Sequence, residues 1–157
     1  MALYYPPVGF HFLVRFEGIF STFGVPDIGF QEISGLNTEI GIEEYREGGE
    51  NRFAHRLPNP VSYQNLVLKR GLLFNSQLSR QFKDAVEGFQ FEPGDATVIL
   101  LNDLHLPIQA WNFVNAWPVK WSFEGLNAQD SSIVIESIEL SYQYYKRIDA
   151  LDLDSLI

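Results

Sequence analysis

Phe10-His11-Phe12-Leu13-Val14-Arg15-Phe16 puts Phe10, Phe12, Val14 and Phe16 on one side of an extended chain, and His11, Leu13 and Arg15 on the other. Side chains of a strand point alternately to opposite faces, so this period of two marks a half-buried β-strand. Pro6 and Pro7 just upstream favour an extended, unpaired lead-in. A loop with Gly24, Pro26 and Gly29 follows, then a short strand around Ile28–Ile33. Gly35 marks a turn and Thr38–Ile42 a further strand.

Beyond the charged segment taken up below, strands are expected over Ser62–Leu73, Ala96–Leu101, Ile108–Trp117 and, after Pro118, Val119–Phe123. Ala96–Leu101 is apolar on both faces, the mark of a buried strand. The last strand, Ser131–Tyr145, changes its apolar face: Ile133 and Ile135 lie on one side, Ile138, Leu140, Tyr142 and Tyr144 on the other. A bulge, or burial against two partners along its length, produces such a switch. The period changes once. Leu78, Phe82, Val86 and Phe89 form one stripe of a helix over 75–88, with Asn75 or Ser76 as N-cap and Gly88 supplying the left-handed position near its end.

Without a βαβ rhythm, these elements predict a mainly β fold: an antiparallel β-barrel or sandwich with one flanking α-helix and a long charged hairpin. The 157 residues fit one domain, 1–157. An aromatic content of 15% suits pleated sheet. No cysteine is present, which excludes disulfides, thiolate metal sites and cysteine nucleophiles. The formal charge of -9 is the reverse of the basic face that nucleic-acid binders carry, and its self-repulsion favours solubility. The first residues lack a signal-peptide pattern, and no apolar run approaches the roughly 20 residues of a membrane span.

From Glu39 to Arg56 the chain carries five glutamates and three arginines around Gly48-Gly49, and Pro58 and Pro60 close the segment. Gly-Gly signals a hairpin. Both charge signs at this density cannot enter a small core without stranding ions, so the hairpin, residues 39–60, must project. Docking on a neighbour and a mobile surface loop both fit that pattern.

No catalytic set emerges. His11, His55 and His105 share no metal-ligand spacing, and Asp103 with His105 reads as a turn. Ser34 in Glu32-Ile-Ser-Gly-Leu36 lacks the preceding glycine of a nucleophile elbow. Glu43, Glu44, Glu47 and Glu50 sit among arginines rather than facing each other across an apolar cleft. No glycine-rich phosphate loop lies between a strand and a helix. The expectation is a protein with no catalytic residue, cofactor or metal.

An ordered series of motifs carries a resemblance that spans nearly the whole chain. It runs through Tyr4-Tyr-Pro-Pro-Val-Gly-Phe-His-Phe12, Phe30-Gln-Glu-Ile-Ser-Gly-Leu36, Glu44-Tyr-Arg-Glu-Gly-Gly49, Leu66-Val-Leu-Lys-Arg-Gly71, Leu100-Leu-Asn102, Trp111-Asn-Phe-Val-Asn-Ala-Trp-Pro118 and Ile133-Val-Ile-Glu-Ser-Ile-Glu-Leu140. The series resembles the tail tube proteins of contractile phages and extracellular contractile injection systems. That resemblance implies homo-hexameric rings, joined through their edge strands, that stack into a tube inside a contractile sheath. It implies sheath, baseplate and cap proteins as partners, protein cargo in the lumen, and no membrane insertion by this chain. Synthesis in the bacterial cytoplasm without a signal peptide follows, with residence in the assembled particle. Carried onto this sequence, Glu44, Tyr45, Arg46, Glu47, Gly48, Arg52 and Phe53 become the inter-ring stacking residues. The alternative is a baseplate-proximal tube-initiator or adaptor ring. Gly18–Pro26 and the acidic tail, 149–157, look longer than the simplest tube pattern and suit that layer.

Overall fold

The computed structural model describes residues 11–17, 27–71, 77–129 and 133–148. They form β1 (His11–Glu17), β2 (Asp27–Ser34), β3 (Thr38–Tyr45), β4 (His55–Tyr63), β5 (Leu66–Gly71), α1 (Gln77–Gly88), β6 (Gly94–Leu101), β7 (Pro107–Glu124), β8 (Ile135–Ser141) and β9 (Tyr144–Ile148). Six strands follow one another in the order β6-β1-β2-β5-β8-β7, and β7 pairs back onto β6, so the sheet closes into a ring. All of these pairings are antiparallel. β3 and β4 form a separate two-stranded sheet, the expected hairpin.

The alternation read from the sequence selects the core. Val14, Leu66, Leu68, Ala96, Val98, Phe113, Ile138 and Leu140 are buried inside the ring, with Phe12, Phe16, Trp111 and Trp121 packed against them. β6 is apolar on both faces for a physical reason. Ala96 and Val98 face this core, while Ile99 faces a second cluster with Ala110, Leu13, Leu101 and Ile148. On β2 a bulge at Gln31 sets Phe30 opposite Arg70 and Glu32 opposite Lys69. The extra residue shifts the pleat, so that Phe30 and Ile33 both pack inward.

Several expectations change. Pro58 and Pro60 do not close the hairpin but lie within β4, an edge strand, beside the register shift between Ile40 and Ile42, the two settings in which a sheet accommodates proline. The strand expected over Ser62–Leu73 is accordingly split: Tyr63 ends β4 and Leu66 opens β5. Pro118 does not divide two strands, because it sits beside a bulge in the continuous β7. There β7 exchanges partners, from β6 and β9 along Pro107–Ala116 to β8 along Trp117–Glu124.

The face switch in the last strand falls later than Ile135–Ile138. Glu136, Ile138 and Leu140 all face inward, and the phase breaks at Tyr142–Gln143, where the Gln143 amide donates to the Val114 carbonyl at 3.0 Å. Tyr145, rather than Tyr144, then returns to the core.

The helix also departs from its expected stripe. Phe82 and Ala85 face the sheet, whereas Val86 is 70% exposed and Phe89 is 83% exposed. Ser79 hydrogen-bonds to Glu136 of β8 from the same side of the helix as Phe82, three residues on. Phe89, not Gly88, takes the left-handed conformation, at φ 50°. Its ring stands edge-on to Phe91, which in turn stands edge-on to Trp117. The Leu78 side chain, the Asn75 and Ser76 caps, Pro6-Pro7, the 18–26 loop and the 149–157 tail lie outside the described residues.

Because every ring neighbour is antiparallel, the connections alternate between two ends of the molecule. The hairpin and the 102–106 turn leave one end. The helix and the 125–134 connection leave the other.

Candidate functional site

The hairpin is rooted firmly and then projects. Gly35, at φ 91°, makes the turn from β2 into the hairpin, and a Cβ there would collide with the Asn65 carbonyl oxygen. Asn37 donates to Gln64 at 2.9 Å, and the Thr38 and Tyr145 hydroxyls share a short hydrogen bond. Tyr63 packs on Tyr142 and Tyr145, which join the hairpin base to the core residue Phe113. Burial pushes the Tyr142 hydroxyl pKa up to about 12, with the neighbouring Tyr145 and Tyr63 adding to the effect. That hydroxyl has no hydrogen-bond partner among the described residues.

Past Ile40 the hairpin leaves the body. At its tip the Glu50 amide donates to the Glu47 carbonyl across Gly48-Gly49, with Gly49 at φ 100°, where a side chain would be strained. The charges close on one another. Arg56 pairs with Glu44 at 3.2 Å and His55 with Glu47 at 3.4 Å. Arg52 embraces Glu50 through Nε at 3.0 Å and Nη2 at 3.2 Å. This contact lowers the Glu50 pKa and raises that of Arg52. Exposed pairs of this kind contribute little stability each, but they hold the tip in one shape.

The residues named from the sequence are thus gathered in one place: Glu44 and Tyr45 at the end of β3, Arg46, Glu47 and Gly48 at the turn, Arg52 and Phe53 on the return. All seven are exposed. What the sequence reading passed over is the apolar surface below them. Ile40 stands opposite Val61 and Ile42 opposite Pro58, on the face of the hairpin that continues from Thr38 and Tyr63. Ile42 is 61% exposed, and Ile40, Leu57 and Val61 are exposed as well. The signal was present in Thr38-Glu-Ile-Gly-Ile42, whose alternation puts both isoleucines on one side. At the same end, Asn102 Oδ1 accepts the Leu104 and Leu106 amides at 2.9 and 2.8 Å, and both leucines are exposed.

A second feature missed by pattern reading lies inside the ring. Arg70 and Glu136 stand directly opposite each other on β5 and β8, both fully buried, with Nε and Oε2 2.9 Å apart. Glu136 Oε1 accepts from Trp121 Nε1 at 2.9 Å and from the Ser79 hydroxyl at 3.2 Å. The Arg70 guanidinium lies 4.8 Å over the Phe30 ring. One carboxylate therefore ties β5, β7, β8 and the helix together. Beside it, Phe82, Val86 and Trp121 floor an open groove of about 710 Å³, edged by Arg80, Lys83 and Glu87.

Among the described residues no group of His, Cys, Asp and Glu could hold a metal ion, and no helix is long and apolar enough to cross a membrane. His55 Nε2 contacts Glu47 at the tip, and His105 sits in the tight 102–106 turn at φ 60°.

Residues 8–146 match the family model of the T4-like virus tail tube protein gp19. A chain in the 6-fold symmetrised baseplate of the anti-feeding prophage (AFP) is 34% identical, covering 92% of this chain and 96% of that one, with a TM-score of 0.81. A chain of the PVC extracellular contractile injection system, in its extended sheath-tube complex, is 24% identical, covering 95% of each, with a TM-score of 0.77. Hcp1 from Salmonella typhimurium shares the fold at 15% identity over 88% of this chain and 86% of its own, with a TM-score of 0.53. A search of curated sequences returns no match.

Proposed function

Because this chain belongs to the T4-like virus tail tube protein family, we propose that it is an inner-tube subunit of a contractile phage-tail-like particle. Six copies close into a ring, and rings stack head to tail into a conduit inside a sheath that starts on a baseplate and ends at a cap. The match across residues 8–146 carries this reading. The 6-fold symmetry of the AFP assembly that holds the 34%-identical chain supports a six-membered ring. No catalytic step is assigned, since the family's role is structural.

The projecting hairpin supplies the stacking contact. Glu44, Tyr45, Arg46, Glu47, Gly48, Arg52 and Phe53 form its tip, and the exposed Ile40, Ile42 and Val61 widen the contact along its shaft. A stacked ring covers apolar surface that otherwise faces water. Electron microscopy of the purified protein tests the reading: rings or tubes are expected as concentration rises. A strictly monomeric species, even beside sheath and baseplate proteins, would overturn it.

A second reading has its own observation. The 34%-identical chain comes from a baseplate, whereas the sheath-tube chain is 24% identical. This favours a ring at the start of the tube, laid directly on the baseplate. Gold labelling of this chain in assembled particles separates the two: label along the shaft for the main tube, label at the baseplate end alone for the initiating layer.

A further inference from the structure

Among the described residues, the helix-end groove is an unfilled apolar site in an acidic protein. Its floor of Phe82, Val86 and Trp121 is open, and Arg80 and Lys83 on its rim outnumber Glu87. Among the described residues, Lys83 makes an ion-pair contact to Glu87 on the next helical turn, at 4.0 Å. The site suits a segment with apolar side chains on one face and carboxylates on the other. The chain contains such a segment. In Asp149-Ala-Leu-Asp-Leu-Asp-Ser-Leu-Ile157, Leu151 and Leu153 alternate with Asp152 and Asp154. Extended, it offers leucines to the floor and aspartates to the rim.

Geometry decides whose segment fits. The chain leaves β9 at Ile148, which pairs with Ala110 and runs away from Trp121. Ala110 and Trp121 are about 36 Å apart along β7 at ~3.3 Å per residue. Nine extended residues reach only about 30 Å. β9 therefore ends at Ile148 on the hairpin end, while the groove lies at the helix end. In a head-to-tail stack the hairpin end of one ring faces the helix end of the next.

We propose that residues 149–157 of one copy dock in the Phe82–Val86–Trp121 groove of a copy in the adjoining ring, as a strap across the ring interface. This rests on the stacked-tube reading above. It assigns the groove to a second copy of this chain, through apolar side chains and charge complementarity together.

The test places a photo-crosslinking p-benzoylphenylalanine at position 86, which is exposed on the groove, in a mixture of isotope-labelled and unlabelled full-length chains assembled into tubes. Mass spectrometry is expected to find cross-links from position 86 to 149–157 between labelled and unlabelled chains. These should be lost in a Leu151→Ser/Leu153→Ser variant. Cross-links to residues 39–61 would give the groove to the hairpin and overturn the strap, as would cross-links within one chain. Tubes without any cross-link overturn the strap alone. Failure to form rings or tubes overturns the stacked-tube reading, and the strap with it.

Discussion

Gly35 shows what a single residue contributes. Its positive φ lets the chain leave β2 and start the hairpin beneath the Asn65 carbonyl. Gly35→Ala strains the backbone and forces a collision, so a loss of about 1–3 kcal/mol is expected in urea denaturation, with the hairpin root loosened first. Tyr142 works in the opposite sense. Its buried hydroxyl has no partner among the described residues, so Tyr142→Phe should be neutral or slightly stabilising. The raised pKa adds a pH dependence. An acid that titrates near 10 in the unfolded chain and at about 12 in the fold contributes stability that is fully present below the unfolded value. That stability is lost as the pH climbs through the folded one. Urea midpoints measured between pH 9 and 12 should fall more steeply for the parent than for Tyr142→Phe; parallel curves would refute the assignment.

At the scale of elements, the buried Arg70–Glu136 pair binds three strands to the helix. Removing one partner leaves the other charge stranded, so Arg70→Met should cost about 3–5 kcal/mol. The double variant Arg70→Met/Glu136→Leu should recover only part of that in thermal or urea unfolding, because Trp121 Nε1 and the Ser79 hydroxyl lose their acceptor. This pair also marks where pattern reading stops. Alternation in Leu66-Val-Leu-Lys-Arg70 does put Arg70 on the leucine face. Yet nothing local announces that Glu136, far along the chain, arrives opposite it. Placing Ile133 and Ile135 on an apolar face of the last strand followed from their side chains alone, whereas the cross-strand register buries Glu136 opposite Arg70. The prolines misled for a related reason. Pro58, Pro60 and Pro118 look like strand breakers until the edge of β4 and the bulge in β7 are known. Those are properties of pairing, not of sequence windows. The strands with plain alternation, the one helix and the hairpin needed no such knowledge.

For the whole molecule, assembly is the property to measure. Arg52 is spent on Glu50 within the tip, while Arg46 has no salt bridge among the described residues. An Arg46→Glu/Arg52→Glu variant should keep the monomer's thermal stability, since exposed pairs count for little, yet fail to stack. Sedimentation would show rings or monomers where the parent gives tubes. Ile40→Ser/Ile42→Ser tests the apolar shaft: the critical concentration for tube growth should rise by about tenfold, equivalent to ~1.4 kcal/mol per contact. An unchanged critical concentration would confine stacking to the tip. The charged hairpin was legible because charge density and Gly-Gly are local signals, whereas the choice of seven stacking residues on it came from the family resemblance. The isoleucine shaft was not weighed, because exposure of an apolar strand face appears only once the hairpin is seen to stand apart from the ring.

Closing six strands within one chain has a consequence for the time before assembly. Open strand edges template aggregation, and here the ring consumes nearly all of them before any partner arrives. Among the described strands, β9, the hairpin and the Trp117–Glu124 stretch of β7 keep a free flank. The first carries Lys146 and Arg147, and the second is interrupted by Pro58 and Pro60. Both are features that discourage indiscriminate strand addition. Indiscriminate strand-to-strand growth between free copies is therefore discouraged, which leaves association to contacts of defined shape.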